Sequence, residues 1–153
     1  MDAIRVGFVA DPAKPTVIAR RIKEHPPDGE GRRAWDSEVI SEPFTAACED
    51  AETALSRLTT QARDHRWDLV VGLTELPLRD RDGRYLLIET DPEQRTAVLS
   101  LPALGGLRMH ARSRDAVHQL VHGMVDSDSH VDPRVALPIS SGRWRVLLGM
   151  VLA

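Results

Sequence analysis

His118 and His122 stand four residues apart in the run His118-Gln119-Leu120-Val121-His122, and this spacing is where the chain invites a chemical reading. On a helix, residues i and i+4 share a face, so two imidazoles can converge on one metal ion. The run matches the zinc-binding pattern H-E-x-x-H at both ligand positions and departs from it between them, where Gln119 replaces the glutamate. That glutamate would take a proton from a zinc-bound water. A carboxamide cannot, so peptide hydrolysis by this route is expected to be lost or greatly reduced, and no catalytic residue is assigned. Two ligands hold zinc weakly without a third. Asp128 stands six residues beyond His122, where the extended pattern H-E-x-x-H-x-x-G-x-x-H puts its third ligand, and His130 is the alternative two residues on. Val125 takes the place of the glycine that lets the chain turn there. The candidate metal set is therefore His118, His122 and Asp128, with His130 as the other third ligand. Four of the six histidines fall between His110 and His130, so such a pair also arises by chance; a partly exposed polar helix face is the plain alternative.

Other constellations carry less. Asp80, Asp82 and Gly83 hint at a calcium loop, but the further carboxylates are missing and a hairpin turn reads better. Asp11-Pro12-Ala13-Lys14-Pro15 occupies the place of a phosphate loop and contains no glycine, so no nucleotide motif is present. Cys48 reads as a small buried residue.

These groups need elements to hold them. Ile4–Ala10 is an apolar run closed by Asp11-Pro12 and reads as a buried strand. A helix is expected from Pro15 or Thr16 through His25, with Val17, Ile18 and Ile22 inward and Arg20, Arg21 and Lys23 outward. A strand near Trp35–Ser41 and a helix over Glu49–Arg66 follow, then a strand at Trp67–Leu73. Turn residues bound two closer strands, Tyr85–Glu89 and Thr96–Leu101, which suggest an antiparallel excursion at the sheet edge. The candidate ligands sit on a last helix, Ser113–Met124, with Ser113 as its N-cap and Val117, Leu120, Val121 and Met124 as its apolar stripe. The expected fold is α/β, a mixed, mostly parallel sheet with an antiparallel edge hairpin and flanking helices in two or three layers, over residues 3–128.

Within that frame, Trp67–Met124 resembles the core of an archaemetzincin-type zinc peptidase. In that family a strand similar to Leu69-Val70-Val71-Gly72-Leu73-Thr74 leads to an edge hairpin. A strand similar to Ala97-Val98-Leu99-Ser100-Leu101 and the H-E-x-x-H helix follow. The resemblance implies a metzincin-like fold, a zinc cofactor and a peptidase ancestry. The chain departs from the family at Gln119, Val125 and Asp128, lacks the cysteines of a structural zinc and has no Met-turn, which implies a degenerate active site.

Composition narrows the remaining classes. At 153 residues, 42 % hydrophobic and 28 % charged, the chain suits one globular domain. A net charge of −3 and 4 % aromatics argue against a nucleic-acid partner. One cysteine excludes an intrachain disulfide framework and, with no signal-peptide pattern at Met1, points to a cytoplasmic setting. Eighteen of the 20 basic residues are arginine, a bias of GC-rich bacterial genomes. Residues 129–142 read as linker. In 143–153, Arg143-Trp144-Arg145 precedes eight apolar residues, so this segment either docks on the domain or opens a membrane span that would tether it. The expected function is a non-catalytic metzincin-like interaction or sensing domain, its partner a protein or the adjoining membrane segment, with no cofactor expected and zinc as the alternative. A zinc hydrolase with an altered site and a metal-free small-ligand domain are the alternatives.

Overall fold

The elements follow one another as β1 (Ile4–Ala10), α1 (Lys14–Glu24), β2 (Trp35–Ser41), α2 (Ala51–His65), β3 (Leu69–Thr74), β4 (Leu78–Arg79), β5 (Tyr85–Leu86), β6 (Ile88–Asp91), β7 (Thr96–Ser100) and α3 (Met109–Asp126). They are seen in a computed structural model, which describes residues 3–26, 34–102 and 108–126. Residues 129–153, with the expected linker and apolar end, lie outside it, as do Asp128 and His130. Among the described residues no helix is long and apolar enough to cross a membrane.

Five strands form one sheet in the order β2-β1-β3-β7-β6. The first four run parallel and β6 returns antiparallel to β7 at the edge, pairing Ile88 with Leu99 and Asp91 with Thr96. A parallel sheet needs cover on both faces, and its inner strands read as continuous apolar runs. Accordingly β3 and β7 are buried at every position and β1 at all but Arg5. α1 and α3 cover one face, through Ile18, Ile22, Val117 and Val121 against Phe8, Leu73 and Leu99. α2 and the β4–β5 hairpin cover the other, through Leu55, Leu58, Leu78 and Leu86 against Val9, Val70 and Val98. The domain thus has three layers.

Two close approaches pin this arrangement. Gly7 faces the α2 layer, and a Cβ there would overlap the ring carbons Cε3, Cδ2 and Cζ3 of Trp67. The indole lies on bare backbone, donates from Nε1 to Glu38 (2.9 Å) and is stacked under His65, with 4.5 Å between ring centroids. At the sheet's other end the buried Asp11 accepts through Oδ1 from the Phe44 N–H (2.6 Å) and through Oδ2 from the Thr74 hydroxyl and the Glu75 N–H (both 2.7 Å). One carboxylate therefore ties the exits of β1 and β3 to the segment after β2.

Several expectations are corrected. The strand expected at Tyr85–Glu89 is two: Tyr85–Leu86 pairs back on Leu78–Arg79 as a separate ribbon, and Ile88–Asp91 joins the main sheet. Val17 is 41 % exposed, because Pro15, Thr16, Ile18, Ala19 and Ile22 make the buried face of α1. The last helix begins at Met109, and Ser113 lies fully buried within it instead of capping it. A 3-10 turn, Ala46–Glu49, precedes α2, whose N-cap is Asp50. The Asp50 carboxylate accepts from the Thr53 hydroxyl (2.6 Å) and N–H (2.9 Å), and these bonds hold its carboxyl below the usual carboxylate range.

Candidate functional site

α3 carries two of the candidate ligands, His118 and His122, and its sequence dictates its rotation. Val117, Val121 and Met124 are buried against the sheet and Leu120 is half-buried, so the expected apolar stripe faces the core. His118 and His122 then fall on a flank and Gln119 on the exposed side.

The flank is occupied. Trp35, the first residue of the edge strand β2, sets its indole against both imidazoles. Its ring centroid lies 5.7 Å from that of His118, nearly edge-on at 85°, and 6.1 Å from that of His122 at 54°. These are the separations and tilts of packed aromatic pairs. Both histidines are half-buried, and the Nε2 atom of each is shielded from solvent. Trp35 reaches this position because strand alternation puts it, with Val39, on the face that α1 and α3 cover. The sequence reading placed Trp35 only as the start of a strand. The one available signal was that alternation, since nothing local to the histidines announces their neighbour.

His118 and His122 are the candidate zinc ligands that this geometry places. Two imidazoles are present, both set against an indole whose N–H can donate but not ligate. Among the described residues no three His, Cys, Asp or Glu side chains gather in a group that could hold a metal ion. A zinc peptidase centre uses three protein ligands and an open fourth position; of the candidate set, His118 and His122 are among the described residues and Asp128 and His130 lie outside them. No reaction step is therefore derived through zinc.

Asp80 and Glu52, in another part of the domain, are engaged in structure. Asp80 Oδ1 accepts from the N–H groups of Asp82 and Arg84 (2.9 Å each), and Gly83 adopts φ 76°, so this segment is the hairpin turn and not a cation loop. Close by, Arg81 makes a forked pair with Glu52 at 3.0 and 2.8 Å. Cys48 is buried.

No protein-family model and no curated protein matches the chain. Among solved structures it is similar to archaemetzincin from Methanopyrus kandleri, with a TM-score of 0.52 and 18 % identity over 80 % of this chain and 69 % of that one. The fold is metzincin-like. The mostly parallel sheet and its antiparallel edge strand match the architecture expected from the sequence. The likeness is one of fold.

Proposed function

We propose that this chain is a non-catalytic, metzincin-like domain that acts by binding a partner and not by hydrolysis. The observation that carries this reading is the state of α3: its two histidines pack on Trp35 while Gln119 faces solvent. In this reading the helix contributes shape and stability where an active homologue would present ligands and a base. The imidazoles became part of the α3–β2 contact, and the carboxamide at position 119 costs nothing because no water is activated there.

The experiment is a peptidase assay of the full chain on a broad peptide pool, with added zinc and with chelator. The expected result is no chelator-sensitive cleavage by the wild type, and none by Gln119→Glu, because restoring the base leaves the imidazoles packed. Zinc-dependent cleavage by the wild type that disappears in His118→Ala would overturn the reading.

The likeness of fold to archaemetzincin favours a second reading, a zinc hydrolase in which Asp128 or His130 completes the ligand set and another group serves as base. Chelator-sensitive cleavage by the wild type that is lost in Asp128→Ala or in His130→Ala would decide for that second reading.

A further inference from the structure

Helix α1 concentrates positive charge in a chain whose net charge is negative. Its eleven residues hold Lys14, Arg20, Arg21 and Lys23 against Glu24 alone, and they include both lysines of the chain, which overall carries −3. All four basic side chains are exposed. Among the described residues none of the four forms an ion pair or a side-chain hydrogen bond, whereas Arg57, Arg81 and Arg114 elsewhere are each paired with a carboxylate. Val17 sits within this face, 41 % exposed, one of two large apolar residues so placed among those described.

We propose that the outer face of α1 is a docking surface for an anionic lipid membrane. An eleven-residue helix presents its charges along about 16 Å of nearly straight surface. A convex helix face that lacks fixed hydrogen-bond geometry responds to charge density and not to the shape of one acidic ligand, and a lipid surface supplies charge density over any area. Val17 adds an apolar contact at the centre, as in helices that lie on membranes. In the sequence, Arg143-Trp144-Arg145 precedes eight apolar residues, the order in which basic, aromatic and apolar residues meet at a bilayer boundary. This inference concerns a different helix from α3 and stands or falls apart from the reading of the histidines.

The test is co-sedimentation of the full chain with vesicles of phosphatidylcholine alone and of phosphatidylcholine mixed with phosphatidylglycerol. Binding is expected to the mixed vesicles only and to weaken as salt is raised. Each basic residue at such a surface contributes about fivefold in partitioning, so Arg20→Gln/Arg21→Gln is expected to lower it about 25-fold with the helical circular dichroism unchanged. Arg63→Gln/Arg84→Gln, which removes the same charge from α2 and the hairpin turn, is expected to leave partitioning nearly intact. Equal losses in the two variants, unchanged binding in the α1 variant, or equal binding to neutral vesicles would overturn the proposal. So would capture by an acidic polypeptide such as polyglutamate with no vesicle binding, which would make the partner a protein.

Discussion

Asp11→Ala is expected to cost about 3–5 kcal/mol, a large part of the stability of a domain this size. The carboxylate is buried and receives three donors at 2.6–2.7 Å, two of them backbone N–H groups of Phe44 and Glu75. Charge-assisted bonds of this kind are among the stronger ones, and removing their acceptor strands buried donors that water cannot easily reach. Asp11→Asn keeps the shape but turns an NH2 group toward one of the donors, so a smaller loss of about 2 kcal/mol is expected. Denaturant unfolding measures both. The Asp11 carbonyl also accepts from the Thr16 N–H (3.1 Å) and hydroxyl (2.8 Å), and these bonds survive either substitution. A loss in the alanine variant no larger than an ordinary surface substitution gives would show that the carboxylate does not tie the strand exits together.

Gly7→Ala is expected to be comparably harmful, at about 3 kcal/mol or more, although it adds a single methyl group. Neither side of the contact can yield cheaply. Gly7 lies in the middle of β1, paired to Glu38 of β2 and Val70 of β3. The indole of Trp67 is held by its bond to Glu38 and by the stacked His65. The methyl group therefore has to push a restrained ring or bend a strand fixed on both sides. Trp67→Leu in the Gly7→Ala background should recover part of the loss, because the double variant removes the clash that each partner shares. Additive losses would show that the cost lies in the strand and not in the indole.

How far the sequence foretold this molecule depends on whether the deciding interaction was local. β1 and β2 match their expected ranges, because an apolar run stopped by Asp11-Pro12 and a short run from Trp35 stopped by Pro43 carry their own boundaries. The start of α3 was missed because its first turn is polar, with His110, Ala111 and Arg112 exposed, so no apolar period marked it before Val117. The break at Leu87 has no local mark because Tyr85-Leu86-Leu87-Ile88 is one unbroken apolar run; only the two pairings, one back to β4 and one on to β7, divide it. Val17 turned outward because the small residues Pro15 and Ala19 fill the inner face of α1. The histidine pair shows the same limit at the site. Its spacing and its flank position on α3 were legible. The indole that meets it comes from another layer and a distant part of the chain, and no local pattern connects the two.

The central claim, that the α3 histidines serve packing and not catalysis, is tested most directly by metal stoichiometry. Full-length protein would be purified without chelator, equilibrated with zinc, passed through gel filtration and analysed for zinc per chain, beside His118→Ala and Trp35→Ala. The account predicts no stoichiometric zinc in any of the three and a loss of stability of about 1–3 kcal/mol in Trp35→Ala, as the α3–β2 contact opens. One zinc per wild-type chain, lost in His118→Ala, would contradict it.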